Sequence, residues 1–418
     1  MRRAGWGAVL ALAVAGIAAV LLGSPSPTTP RRPAAFGTVR FFLQRLDEAK
    51  VQATTPAQWA TIARDNVVVV LNSWDFRLIP ILKRANPRVQ IWVYKDLSGV
   101  RSDDCRTGNG NCGSCLRGIT DRNFLSSGMG YCWVERHHPN WLLKAAGSGQ
   151  SFQFRGYQQT WETDYGNRAY RRQWTANVLA DVRAHGWDGV KLDNALTTAD
   201  AYGVAAKYPT DTAVQAATYS ALRYIGHALH QAGVASIANV GYATKFPGLW
   251  QRWLGPVDGL EQEFYLSSST QPDAFGAAWE EYENEVSSCA AQHKLCWFHA
   301  GDYSPTVTPQ TRLYALASFL LATDGRQLLS VGDFMPPGPA PNMALGHSLG
   351  IVNELGGTWR RSFTGGVAVV NPTRSSTLVY LGGNYLGDTG RVSTVSLQPT
   401  SGAVLRATTR RDTPSGNP

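Results

Sequence analysis

The strongest constraint on this chain is an alternation. Eight β-branched or apolar runs recur with helical stretches between most of them: 38–43, 66–74, 89–95, a run ending at Asp193, 235–240, a run ending at Glu263, 295–300 and 327–331. Val67-Val68-Val69-Val70-Leu71 is a continuous β-branched run, the pattern of a strand covered on both faces. The helical stretches carry their own punctuation. Thr55-Pro56 supplies a cap and a proline at the first helical position, and the stretch 77–85 stops before Pro87. The stretch 167–185 ends at Gly186, and others cover 212–232, 246–253, 272–289 and 309–322. Strand and helix in turn, eight times over, predict an α/β chain folded as a (β/α)8 TIM barrel rather than an open sheet.

The pattern changes near Gly350. Runs at 358–363, 367–370, 377–381, 392–397 and 403–406 sit between Gly-rich turns, which predicts a small antiparallel β-sandwich domain over 350–408 and a disordered tail over 409–418. A chain of 418 residues is long enough for one large domain and a small one. The barrel takes 36–349, with a Cys-rich insertion at about 97–165. At the other end, Arg2 and Arg3 precede an apolar run from Ala4 to Gly23, and 24–35 is a Ser/Pro/Thr-rich linker. The run is long for a signal-peptide core and near the minimum for a membrane span. Export is expected, with the chain either secreted after cleavage or anchored to the membrane by this segment.

Six cysteines suit an exported protein. Cys289 and Cys296 are close enough to pair locally, and Cys105, Cys112, Cys115 and Cys132 share one Gly-rich excursion. Two disulfides there outweigh a four-thiolate zinc site or a Cys112–Cys115 redox pair, because no helical redox context accompanies them. The net charge of +9 comes without an Arg/Lys-dense run in the body or a nucleic-acid motif, so it reads as an Arg-rich surface and nucleic acid is not an expected partner. An anionic polymer at a cell surface is compatible with that charge.

The chemistry lies in a repeat. Trp187-Asp188-Gly189-Val190-Lys191-Leu192-Asp193-Asn194 returns as Asp258-Gly259-Leu260-Glu261-Gln262-Glu263. Aligning the Asp-Gly pairs sets Lys191 over Glu261 and Asp193 over Glu263. Alternation puts Gly189, Lys191 and Asp193 on one face of the fourth strand, and Gly259, Glu261 and Glu263 on one face of the sixth. At the C-terminal mouth of a barrel, Asp193 and Glu263 would then stand about 5–10 Å apart, the range spanned by retaining and inverting glycosidases. Lys191 and Glu261, one level below, are expected to pair as ions across the barrel, with Lys191 also keeping Asp193 ionised. Phe264 and Tyr265 are apolar company that would raise the Glu263 carboxyl toward a general acid, and Glu261 is the reserve candidate for that role.

Polar and aromatic residues at other strand ends form a sugar-binding set: Trp74 and Asp75, Tyr94 and Asp96, Asn239 and Tyr242, Tyr265, His299 and Asp302, and Asp333. Neighbouring histidines such as His137-His138 do not face one site along a strand, so no metal is expected, and no cofactor.

Asn86-Pro87 before the third strand, Asp164-Tyr165-Gly166-Asn167 before the long helix, and the two Asp-Gly strands together resemble an uncharacterised glycosyl hydrolase family of TIM-barrel type. Gly365-Gly366-Val367-Ala368-Val369-Val370-Asn371-Pro372 is similar to the β-domain appended to such barrels. Lys191-Leu192-Asp193 more distantly resembles the nucleophile strand of the α-galactosidase clan, whose acid is an aspartate where this chain has Glu263. The resemblance implies an exported glycoside hydrolase acting on an oligo- or polysaccharide, with Asp193 as nucleophile or stabiliser and Glu263 as general acid/base. Two other readings fit the same residues: a carbohydrate-binding barrel without catalysis, and a cell-envelope transglycosylase in which a sugar hydroxyl replaces water.

Overall fold

A computed structural model describes residues 39–102, 125–267, 273–301, 307–332, 345–387 and 390–408. Eight parallel strands close into a barrel. They are β1 (Arg40–Arg45), β2 (Val68–Leu71), β3 (Gln90–Asp96), β4 (Gly189–Asp193), β5 (Ala235–Asn239), β6 (Gly259–Gln262), β7 (Trp297–Ala300) and β8 (Leu328–Val331), each paired with its neighbours in sequence and β8 with β1. The helices are α1 (Glu48–Ala53), α2 (Pro56–Asp65), α3 (Ile79–Ala85), α4 (Tyr131–His137), α5 (Arg168–His185), α6 (Asp211–Gln231), α7 (Leu249–Trp253), α8 (Ala277–Ala291) and α9 (Pro309–Ala322). Among the described residues no helix is long and apolar enough to cross a membrane, and the run Ala4 to Gly23, expected to be a signal peptide or membrane anchor, lies outside them.

Local chemistry accounts for the element ends. Thr55 and Gln58 form a capping box with Pro56 in the first turn of α2, and Asn167 caps α5 by accepting from the backbone of Ala169 and Tyr170. Gly186 ends α5 in the left-handed region at φ 73°, where glycine carries no Cβ penalty. Several boundaries depart from the sequence reading, among them the strand expected over 377–381, which extends to Gly387. The second strand stops at Leu71 and Ser73–Leu78 turns into a 3-10 helix, and α8 begins at Ala277 rather than 272.

The Asp-Gly repeat has a fold-level explanation. Asp188 accepts a hydrogen bond from the backbone N–H of Ile91 at 2.7 Å, and Asp258 accepts from that of Ser236 at 2.8 Å. Each aspartate thereby ties its own strand to the preceding one. Each glycine makes room: a Cβ on Gly189 would sit 2.5 Å from the Trp92 ring, and one on Gly259 would sit 1.9 Å from the Leu295 carbonyl oxygen. The space at Gly189 admits the aromatic floor of the barrel, where Trp297 stacks on Phe42 with centroids 5.0 Å apart and meets Trp92 at 4.9 Å. Val68, Val70, Ile237 and Leu328 complete this apolar layer.

Outside the barrel, Lys95 and Asp181 form a buried ion pair at 2.7 Å that locks β3 to α5, and His185 completes it from the other Asp181 oxygen. Between β3 and α5 the chain makes its long excursion, in which Gly99–Arg101 and Thr160–Glu162 pair as a short antiparallel ribbon. Cys289 and Cys296 form a disulfide between the end of α8 and β7, as expected from their spacing. Cys132 is disulfide-bonded as well, while Cys105, Cys112 and Cys115 lie outside the described residues.

The C-terminal β-domain is one curled six-stranded antiparallel sheet. Its strands are β9 (Asn353–Leu355), β10 (Thr358–Phe363), β11 (Gly366–Asn371), β12 (Thr377–Gly387), β13 (Gly390–Leu397) and β14 (Ser401–Ala407), in the order β9-β10-β11-β14-β12-β13. Val367, Val369, Val379, Leu381 and Leu397 form its own core. The opposite face, with Ala368 and Val370, joins the barrel core against α9. Arg361 fastens the two by donating to the carbonyls of Leu320, Leu321 and Thr323 at the end of α9.

Candidate active site

Above the aromatic floor the barrel interior turns polar. Lys191 and Glu261, both at most 1 % exposed, meet at 2.9 Å, the ion pair expected from strand alternation. Gln44 of β1 closes the set, accepting from Lys191 Nζ at 2.5 Å and donating to Glu261 Oε1 at 2.5 Å. Sequence reading missed Gln44, because a glutamine in an apolar strand carries no signal until the barrel closes. Burial opposes the Lys191 charge, but Glu261, Asp193 and Glu263 outweigh it and hold its pKa above the ordinary lysine value. Burial pushes the Glu261 carboxyl up, with Lys191 opposing it. The pair is a charged platform beneath the mouth.

Asp193 and Glu263 stand on that platform, Glu263 being the first residue beyond β6. Tyr94 donates its hydroxyl to Asp193 Oδ2 at 2.6 Å, and Lys191 Nζ lies 3.8 Å from Oδ1. The side-chain amide of Asn239 joins the two carboxylates: Nδ2 donates to Asp193 Oδ1 and to Glu263 Oε2, each at 2.8 Å. These two oxygens are therefore at most twice that distance apart, about 5.6 Å, which falls with the ~5–5.5 Å of retaining glycosidases rather than the ~6.5–9.5 Å of inverting ones.

Asp96 pairs in register with Asp193 across β3 and β4. Its Oδ1 accepts from the backbone of Ser98 and Gly99, and its Oδ2 from Asn194 Nδ2 at 2.9 Å. Burial, and then the Asp193 charge, push this carboxyl up to about 7. Donors on both oxygens fix the orientation of the Asp96 carboxyl beside Asp193. Asn194 adopts φ 55°, a left-handed conformation that asparagine tolerates, and accepts from the Tyr202 hydroxyl at 2.7 Å. Behind Asp96, burial and then the Asp96 charge raise Glu162 to about 8.

A cavity of about 380 Å³ opens over these groups. Trp74, Tyr94, Asp96, Lys191, Asp193 and Glu263 line it, all named from the sequence. The excursion supplies a wall that sequence reading missed, with Arg101, Phe154, Tyr157 and Thr160. Phe154 stacks on Tyr202 with centroids 4.0 Å apart, and Tyr157 meets Tyr202 edge-on while remaining exposed at the rim. An aromatic platform beside hydrogen-bonding groups is apt for a sugar ring.

Other expected residues stand elsewhere. Tyr265 is buried and donates to Glu283 of α8 at 2.6 Å, so it faces the outer core, away from the cleft. It is not in place to surround Glu263 with apolar surface. Glu261 is sealed beneath the mouth by its pairing with Lys191. His299 is buried against Phe42, with centroids 6.3 Å apart. Asp75 sits on the 3-10 turn and accepts from Asn72 at 3.4 Å rather than lining the cavity. Tyr242 is 43 % exposed, with Lys245 Nζ 4.3 Å above its ring. Asp302 and Asp333 lie outside the described residues.

A barrel with paired carboxylates at its mouth can be compared with known families. The sequence profile of hypothetical glycosyl hydrolase family 15 matches residues 83–367. The chain belongs to that family. The match runs from α3 through the whole carboxylate-bearing half of the barrel into β11. Among curated proteins none matches the sequence. Similar solved structures include a GH31 dextranase of Flavobacterium johnsoniae complexed with glucose (10 % identity, 90 % of this chain and 52 % of that one, TM-score 0.45). A GH36 α-galactosidase of Geobacillus stearothermophilus in complex with raffinose has 10 % identity over 88 % of this chain and 55 % of that one, with TM-score 0.49. An α-amylase of Geobacillus thermoleovorans complexed with acarbose has 10 % identity over 91 % of this chain and all of that one, with TM-score 0.48. The chain spans about half the length of the first two.

Proposed function

We propose that the protein is a retaining glycoside hydrolase in which Asp193 is the nucleophile and Glu263 the general acid/base. The observation that carries this reading is the shared amide of Asn239, which holds one oxygen of each carboxylate 2.8 Å from a single nitrogen. Family membership supports the reaction class, and the cavity over the carboxylates supports a carbohydrate substrate.

In the first step Asp193 attacks the anomeric carbon while Glu263 gives its proton to the departing glycosidic oxygen, leaving a glycosyl ester on Asp193. Glu263, now a carboxylate, then takes a proton from water as that water attacks the same carbon and returns Asp193 to the anion. Tyr94 and Asn239 keep the Asp193 oxygens aimed, and Lys191 offsets the charge returned to Asp193. Tyr202 and Phe154 form the face on which a sugar ring stacks. The N-terminal Arg2-Arg3 and the apolar run after it support export, with the enzyme acting outside the cytoplasm.

The test is a screen of α- and β-linked glycans followed by NMR of the first product formed. The expected product keeps the anomeric configuration of the substrate, and an inverted first product would sink the retaining assignment. Asp193→Asn as the parallel control is expected to abolish turnover. Undiminished turnover in that variant removes Asp193 from the chemistry.

A further inference from the structure

A second concavity, of about 840 Å³, lies on the other face of the barrel. Its walls are α5, α6, the loop 255–258 entering β6, and Lys294 just before β7. Those are N-terminal strand ends, whereas Asp193 and Glu263 stand at C-terminal ones. Ser220, Arg223, Tyr224, His227 and His230 recur at helical spacing along the face of α6 that lines it. From Arg223 to His230 that row covers about 10 Å of helix rise. The floor is a close backbone approach: a Cβ on Gly226 would sit 2.1 Å from the Pro256 carbonyl oxygen, so α6 rests directly on the loop.

The charge in this groove is one-sided. Arg171, Arg223, His227, His230 and Lys294 line it, and Asp258 is the one acidic residue among the lining, already occupied with the backbone N–H of Ser236. Among the described residues none of the five basic side chains forms a salt bridge. Arg171 is buried, donates from Nη1 to Ser220 Oγ at 2.7 Å and lies 5.3 Å from the Tyr224 ring centroid, yet its buried Nε has no acceptor. Burial, and then repulsion from Arg168, lower the Arg171 pKa, and burial lowers that of Lys294 against the pull of Asp258. Surface cations are ordinarily interspersed with acids. A concavity that gathers Arg171, Arg223 and Lys294 against a single acid, Asp258, concentrates positive potential and is relieved by an anion.

We propose that this groove binds an anionic glycan chain, carboxylated or phosphorylated, at a site separate from the cleft. Its extent along α6 suits a chain with successive charges, and Tyr219 and Tyr224 add aromatic faces beside the cations. The experiment is affinity electrophoresis of the full chain through gels containing polygalacturonate, phosphorylated dextran or neutral dextran. The wild type is expected to be retarded by one or both polyanions and not by neutral dextran, and the stronger of the two identifies carboxylate or phosphate as the preferred anion. The Arg223→Ser/His227→Ser variant, altered at two exposed positions, is expected to lose affinity by about 10-fold or more while keeping its melting temperature. Arg88→Ser removes one charge from an exposed position outside the groove and is expected to change nothing. Equal retardation of the wild type and the groove variant, an equal loss in Arg88→Ser, or displacement of both polymers by a single-stranded oligonucleotide at lower concentration overturns the proposal.

Discussion

At the scale of single residues, the candidate chemistry rests on one amide. Asn239 is 5 % exposed and spends both hydrogens of its side chain on carboxylates that would otherwise repel each other across the mouth. Asn239→Ala removes that bridge while leaving Tyr94 and Lys191 on Asp193. Hydrolysis is expected to fall by about 10²-fold or more with the fold intact, and kcat should carry most of the loss, because the bridge orients the two carboxylates proposed to react. Steady-state kinetics beside circular dichroism checks it, and a variant with unchanged kcat would show the bridge to be incidental. Glu263→Gln keeps an oxygen for Asn239 to bond but cannot give up a proton. Its loss is expected to be about 10²–10⁴-fold, with little change for substrates whose leaving group needs no protonation. Asp193 and Glu263 were readable from sequence because alternation and the Asp-Gly alignment set them at one level. Tyr265 was misread for a physical reason: past Glu263 the chain leaves the barrel wall, the two-residue period no longer applies, and Tyr265 turns into the core.

At the scale of elements, the repeat that exposes the carboxylates is first a packing device. Asp188 and Asp258 tie neighbouring strands, and Gly189 and Gly259 admit Trp92 and the Leu295 backbone. Gly259→Ala must move backbone rather than a flexible side-chain end, so it is expected to cost about 1–3 kcal/mol or more in a urea titration. The layer above is ionic. Lys191→Met leaves Glu261 buried without its cation and is expected to cost about 3–5 kcal/mol. Lys191→Met/Glu261→Leu, which removes both charges, should recover much of that stability while losing activity, since Asp193 then lacks its cation. If the double variant were less stable than the single one, the ion pair would not be the source of the loss. Gln44, Phe154, Tyr157 and Tyr202 were invisible at this scale, because β1, the excursion and the connection from β4 to α6 reach the site only when the barrel closes and the chain folds back over its rim.

At the scale of the whole molecule, several buried carboxyls share one direction. Asp96 is pushed up to about 7, and Glu162, Glu283 and Glu285 to about 8, with burial the leading cause at each. A raised carboxyl means the folded state holds a proton that the unfolded chain has released. Stability is therefore complete below the unfolded value and declines as pH rises through the folded one. Melting temperature is expected to be highest near the ordinary glutamate value of 4.5 and to fall steadily to about pH 8, where the slope ends. Glu283→Gln/Glu285→Gln keeps acceptors for Tyr265 and Gln262 and is expected to flatten that decline. Melting curves across the range check it, and a melting temperature that rises with pH would contradict it.

The sequence by itself determined the barrel, the appended β-domain, the Cys289–Cys296 pair, the Lys191–Glu261 pair and the facing of Asp193 and Glu263. Each follows from a short-range period or spacing that local sterics enforce. Only the tertiary structure decided the shared Asn239 amide, the close spacing of the carboxylates, the aromatic wall of the cleft and the cationic groove beneath α6. Each joins residues from elements far apart in the chain, and their contacts depend on how the barrel closes rather than on any local pattern.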